Sequence, residues 1–487
     1  MRMRFGRFWG EVRVVSECNT IQAYLDAVAE QIRWKRAKPV VLSELEQHLE
    51  DQRDAFASEG CANAEQLAVE EMGNPVSVGA ELDRIHRPKP QWGLLTLTVL
   101  LALTGAVLRV VLTADWSIYG ENFYLRRTVL AFVLGCGALL LGYFLDYVRL
   151  GRWGRVLYFG VLAVGILMLI FSPKINGISY YTGYITLCYP VVYVFWLYTW
   201  RRKGWMGLAA ALLGGIPLEM ICMFGPHRFS LVMLFAVGTV SAMLAAWNDW
   251  FRLGRQKSVG VVLLWKLAAA GVTAGSVLLF GGGFQRLAIT LHPERDLMGS
   301  GYEAGMIRKA LETAQWIGTG EWSTAISGRP YETTVPGCDG SALLTTLIYK
   351  LGWLPFLAVV MVFGVLVVWL LCRCLRQKSQ LGKMAALAVI LTLSSQAACS
   401  VAWNLGFTLC SSEFPLMIGN LSSVVNMGLI GLTLSVFRGE SIAQNLIYNE
   451  PLHLPRYRVR IIVEKSESER EKASPHGGAF FGQTRVK

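Results

Sequence analysis

Charge is scarce in this chain. Of its 487 residues only 16% are Asp, Glu, Lys or Arg, against about a quarter in a soluble globular domain. That scarcity excludes an ordinary water-soluble enzyme. Low hydrophobicity, which disorder requires, is also missing: 53% of the residues are hydrophobic and mean hydropathy is +0.42. Histidines number six, and the ten cysteines form no CxxC pair. No cofactor is evident; a divalent metal is possible, but no cluster with the spacing of metal ligands is seen. Cys136, Cys222 and Cys399 fall in apolar runs and read as packing residues. Cys338 and Cys410 fall on the same expected side, which leaves a disulfide between them conceivable. Met1 to Arg13 is basic without an apolar stretch, so it does not read as a secretory signal. No internal repeat is visible, and a transporter built from inverted halves gains no support.

What is present is grease, with cations between. About ten apolar segments run for roughly 17–25 residues, the length that crosses a hydrocarbon core. They are 92–114, 127–147, 155–171, 184–200, 205–224, 229–247, 259–281, 353–372, 384–404 and 418–437. The excess of Lys and Arg, 46 against 34 Asp and Glu, gives a formal charge of +12. Nucleic acid is not the expected partner, because the cations sit in short gaps between apolar runs rather than on a soluble face. Arg149, Arg152 and Arg155 fill one gap; Arg201, Arg202 and Lys203 the next. Arg252, Arg255 and Lys257 follow, then Arg373, Arg376, Lys378 and Lys383. Alternate gaps are poor in cations, so the positive-inside rule puts these four in the cytoplasm, together with both termini. The expected fold is an all-α polytopic membrane protein in a lipid bilayer, with a long outer loop at 283–341 and a cytoplasmic tail at 439–487.

Residues 1–91 differ from the rest. Tyr24, Val28 and Ile32 recur at i, i+4 and i+8, and Leu42, Leu45 and Leu49 at i, i+3 and i+7, each an apolar stripe on a helix. Gly60 and Gly73 stand where helices end, Asn63 reads as a helix cap with Gln66, and Pro75 can open a last helix. A small cytoplasmic bundle of three or four helices is expected, joined by a linker at 87–90.

Ionisable groups within lipid are costly and usually functional. Glu219 lies in the fifth expected span and Lys266 in the seventh. Counted from the inner ends, their depths differ by about 10 Å at about 1.5 Å per residue, so no direct contact is expected. Gln396 and Asn404 in the ninth span read as partners in hydrogen bonds between helices. The outer loop is too long to be without structure unless it has a function. Its segment 301–316 has helical spacing.

The order of motifs in that loop resembles the SEDS family of shape, elongation, division and sporulation proteins. Arg286 is followed by Gly301, Tyr302 and Glu303, then Gly318 to Gly320, Pro336, and Lys350 to Gly352. Gln396, the run Asn404 to Gly406, Pro415 with Leu416, Ser422 with Ser423, and Asn426 continue the match over residues 92–438. Residues 1–91 resemble the small helical prefix found before permease-like regions in Gram-positive bacteria. The resemblance implies a bacterial plasma-membrane protein of cell-wall synthesis, in cell division or cell shape. It implies binding of a lipid-linked peptidoglycan precursor (lipid II) and glycan polymerisation beside a penicillin-binding-protein transpeptidase. It makes Arg286, Tyr302, Glu303, Pro336, Gln396 and Asn404 substrate-binding candidates.

The chain departs from the family at the catalytic acid. The position of the family aspartate is Ser341, and a serine without a base is a weak proton acceptor. Asp339 is the nearest replacement, on one condition. Residues two apart share a side only in extended backbone. Its plainer reading is a turn residue beside Gly340. Alternatives therefore stand beside the polymerase: a catalytically inactive relative that binds the precursor or a partner, and a transporter of lipid-linked precursor.

Overall fold

Inside lipid a backbone can satisfy its N–H and C=O groups only within a helix or a closed barrel. This chain uses helices. The structure is a computed structural model, and it describes residues 20–35, 38–86, 90–116, 122–175, 177–280, 283–322, 330–417 and 419–439. The tail expected after 439 lies outside the described residues, as do the first 19 and most of the 87–90 linker.

Four helices, Ile21–Gln31, Lys38–Ser58, Ala64–Met72 and Pro75–His86, form the bundle. Their stripes meet as expected: Tyr24, Val28, Ile32, Leu45 and Leu49 are buried in one apolar core. Gly60 and Gly73 take left-handed φ of +85° and +79°, where glycine has no Cβ to clash. Asn63 does precede a helix, but its side chain makes no capping hydrogen bond; Glu65 instead reaches across to accept from the Ile21 amide at 2.9 Å.

Among the described residues nine helices are long and apolar enough to cross a membrane, from Trp92–Leu112 to Leu421–Arg438. Their outward faces carry exposed Val, Leu and Phe, such as Val107, Leu141, Phe171, Leu264 and Val365, as lipid contact requires. The chain is an all-α, multi-pass membrane protein, with one two-residue hairpin pairing Lys174 with Ser179 and Ile175 with Ile178.

The expected fourth span, 184–200, is not one of the nine. Its helical path is cut into Thr182–Ile185, a 3-10 turn at Thr186–Cys188, and Tyr189–Thr199. Pro190 at the start of the last piece lacks an N–H and so favours a fresh start there. Every residue from Tyr189 to Tyr198 is buried, so this helix, apolar all round, is the core of the body. The fifth span is broken too, into Gly204–Leu213 and Gly215–Phe224. Pro217 cannot donate to the turn before it. The Gly214 carbonyl is taken by the Tyr158 hydroxyl at 2.6 Å, and the Ala210 carbonyl by the Trp196 indole at 2.9 Å.

The last span, Leu421–Arg438, lies along the second, Phe123–Phe144. Gly142 and Gly431 each face the backbone of the other helix so closely that a Cβ would collide with it. Small residues let backbones meet in this way where no hydrophobic drive separates helix from lipid. At one face the basic gaps meet aromatic rings. Arg155 and Lys203 both stand over Trp200, at 5.0 and 4.3 Å, and Arg201 lies 3.7 Å over Tyr198. The opposite face is called outer below.

Candidate functional site

The outer loop is helical in part, over Gly283–Leu291, Tyr302–Glu312 and Leu343–Leu351. Asn404, at the end of the ninth expected span, holds the last of these in place. Its Nδ2 donates to the Ser341 carbonyl at 2.8 Å, and its Oδ1 accepts from the Thr345 amide at 2.7 Å and hydroxyl at 2.9 Å. Gln396 exchanges two hydrogen bonds of 2.9 Å with Asn426 of the last span, and Asn426 also donates to the Pro415 carbonyl. Both residues thus join helices, as their place in an apolar run implied.

Between these fixed points the chain makes a tight turn. Gly337 has φ +67°, and its carbonyl accepts from the amides of Gly340 and Ala342, both at 2.8 Å. Pro336 and Asp339 are half-buried there, and Ser341 Oγ is folded back against Gly337. The backbone around Asp339 is therefore not extended.

A group of charges that the sequence reading did not single out lies beside this turn. Arg109 comes from the last turn of the first span. It is 2% exposed, and its Nε and Nη2 have no hydrogen-bond partner. Gly419 packs directly on its guanidinium, and the charges of Glu413 and Asp339 reach it. Glu413 precedes the last span and accepts from the Asn420 amide and the Ser422 hydroxyl, one on each oxygen. Arg127, one turn into the second span, donates to Asn420 Oδ1 and lies 3.5 Å from the Tyr180 hydroxyl. A small cavity is walled by Arg109, Gly340, Ser400 and Glu413, with Leu343, Leu344, Phe414 and Met417. Phe414 and Met417 also line an apolar groove between the first span and Trp353–Arg376, with Leu101, Gly105, Leu108, Val359, Val362 and Phe363. One pair of side chains thus divides a greasy groove from a polar cavity.

The remaining expected residues lie elsewhere. Arg286 is exposed on its helix, within electrostatic reach of Arg228. The Tyr302 hydroxyl donates to the Thr334 carbonyl at 3.0 Å. Burial pushes the Glu303 carboxyl up to about 7, opposed by the neighbouring Trp403 indole. Such a group is poised to exchange a proton near neutral pH. The depth argument for Glu219 and Lys266 is overturned: Lys266 Nζ meets Glu219 Oε1 at 3.6 Å. The break in the fifth span spoils residue counting, and a lysine stem spans the rest. Cys338 and Cys410 are both free thiols. The Cys338 thiol donates to the Glu332 carbonyl at 3.4 Å, and burial pushes it up to about 12. Among the described residues no three His, Cys, Asp or Glu side chains are grouped to hold a metal.

No family model and no curated protein matches this sequence. Solved structures do. A chain from a study of the structural coordination of polymerization and crosslinking by a peptidoglycan synthase complex aligns over 98% of its length and 72% of this one, at 18% identity and a TM-score of 0.53. Two crystal structures of the rod shape determining protein RodA of Thermus thermophilus, one a point mutant, align at 14% identity. Their TM-scores are 0.47 and 0.46, over 98% and 97% of their chains and 72% of this one. At such identity a likeness speaks of architecture, and the architecture agrees with the expectation: this multi-pass helical chain has the fold of a chain in a peptidoglycan synthase complex.

Proposed function

We propose that the chain is a divergent SEDS-type protein of bacterial cell-wall synthesis, and that it binds a polyprenyl-diphosphate-linked peptidoglycan precursor at its outer face. The observation that carries this reading is Arg109, a buried cation with two unpartnered nitrogens that lines a small cavity together with Glu413, one wall away from an apolar groove. A lipid-linked sugar has parts to match, a tail for the groove and a diphosphate for the guanidinium, with the cavity, about 10 Å³ as it stands, opening to admit them. Arginine donors suit phosphate oxygens in geometry as well as charge. The order of motifs in the outer loop and the fold of the synthase chain support the same reading. It places the protein in the bacterial plasma membrane with both termini in the cytoplasm, beside a penicillin-binding-protein transpeptidase, and it makes polymerisation of glycan strands the activity.

The serine at 341 favours a second reading, in which the chain binds precursor without polymerising it and regulates the wall-synthesis machinery. One experiment separates the two. Full-length protein in proteoliposomes is given lipid II, and both bound lipid and glycan product are measured. Binding with product supports the polymerase, binding without product supports the silent relative, and neither sinks the whole proposal.

A further inference from the structure

We infer that Glu413 is the general base of the proposed glycosyl transfer, supplying the carboxylate that position 341 lacks. The inference rests on the polymerase reading above and adds a residue to it. Asp339, the nearest replacement in sequence, sits in the tight turn closed by the Gly337 carbonyl. It therefore fails the condition of extended backbone under which it could take the place of Ser341.

Glu413 reaches that place from another part of the chain. A Cβ built on Gly340 would stand 3.8 Å from Glu413 Oε1, so the carboxylate lies against the backbone next to Ser341. Asn420 and Ser422 hold it with one donor on each oxygen. A carboxylate has about four acceptor sites, so acceptor capacity remains toward the cavity that Glu413 lines. Among the described residues no cation is within ion-pair distance of it; Arg127, which could have neutralised it, is engaged by Asn420 instead. Arg109 lines the same cavity, and its Nε and Nη2 have no hydrogen-bond partner. A carboxylate and a guanidinium thus line one cavity of about 10 Å³, the room of a single water, which must open to admit a sugar and a diphosphate.

The chemistry balances without another reagent. The oxygen of a sugar hydroxyl attacks the anomeric carbon of a second, lipid-linked sugar. The new C–O bond forms as the bond from that carbon to the diphosphate oxygen breaks, and the electron pair leaves with the diphosphate. The hydroxyl proton passes to Glu413, which later gives it to water. Arg109 balances the charge that grows on the leaving group.

The test uses full-length protein in proteoliposomes with lipid II as the substrate. Glu413→Gln is expected to lower kcat by about 10² or more, in line with loss of a general base, with KM held. Glu312→Gln, on the exposed side of its helix, controls for handling and keeps wild-type activity. Ser422→Ala and Asn420→Ala loosen the carboxylate without removing it, and each is expected to lower kcat several-fold; if E413Q does not fold, these two decide. Product from E413Q at the wild-type rate overturns the inference and leaves the polymerase standing. So does loss of product on Asp339→Asn with product kept on E413Q, or unchanged kcat in both loosening variants. No product from the wild type overturns the polymerase reading and the inference with it.

Discussion

Two sets of charges lie within the helical body, and they are built in opposite ways. Glu219 and Lys266 come from the fifth and seventh expected spans and meet at 3.6 Å, with side chains 17% and 6% exposed. The lysine head is further surrounded by the rings of Phe235 and Tyr193, at 5.0 and 5.9 Å. This pair satisfies itself. The outer set does not: Arg109 is as deeply buried, yet two of its nitrogens bond to nothing, and Glu413 lines a cavity with it. A buried charge costs least when its partner is fixed beside it. Where the donors are left open instead, the burial is not compensated among the described residues. The first set is framework, and the second is the site proposed above for an anion.

Substitutions can break this contrast. The largest effect is expected at the framework pair. Lys266→Met leaves Glu219 buried alone and should destabilise by about 3–5 kcal/mol, while the double change with Glu219→Leu recovers most of that. Thermal unfolding in detergent reads both; equal loss in the single and double variants would remove the pair from the framework. Arg109→Ala should behave in the reverse sense. Lipid II affinity falls by roughly 1.5–3 kcal/mol, the range for hydrogen bonds to charged groups, with a smaller loss of melting temperature than at the framework pair because no bond to Nε or Nη2 is lost. A melting temperature that drops with affinity unchanged would make Arg109 structural. Asn404→Ala lies between the two sets. It strips the Thr345 amide of its acceptor and should cost about 1–3 kcal/mol in stability, with precursor binding weakened because the turn at 337–342 loses its anchor.

The remaining effect is one of pH and concerns Glu303. Its proton is held to about 7 in the folded chain, against an ordinary 4.5. Between those values the folded state binds more protons than the unfolded one, so stability falls as pH rises from 4.5 toward 7 and is level above. Glu303→Gln removes that slope. Melting curves of the two proteins should coincide near pH 4 and separate toward pH 8, with the variant more stable; parallel curves would place Glu303 in water.

Periodicity made the bundle legible, because Tyr24, Val28 and Ile32 mark one side of a helix whatever surrounds it. Length and hydropathy did the same for the spans. Breaks within spans were harder to read. Pro190 and Pro217 were visible as letters, but whether a proline kinks a helix or ends it depends on which side chains catch the freed carbonyls. At the second break Tyr158 and Trp196, both from other helices, donate to the Gly214 and Ala210 carbonyls beside it. The same break defeated the depth count for Glu219. The outer charges were hidden by distance along the chain: Arg109 and Glu413 belong to opposite ends of the membrane region. Arg109 also sits one turn from the end of its span, where an arginine passes for a border residue. Gln396 and Asn404 carried a stronger signal, being amides within an apolar run, and each does bridge segments.

The glycine-to-glycine seam between the second and last spans has a consequence for how the protein is made. Glu413 and Asn420 immediately precede the final membrane segment, whereas Arg109 and Arg127 belong to the first two. During synthesis those early arginines enter the bilayer long before their acidic and amide companions exist. A chain stopped short of Leu421 would carry nearly all of the mass and none of the seam that draws the two ends together.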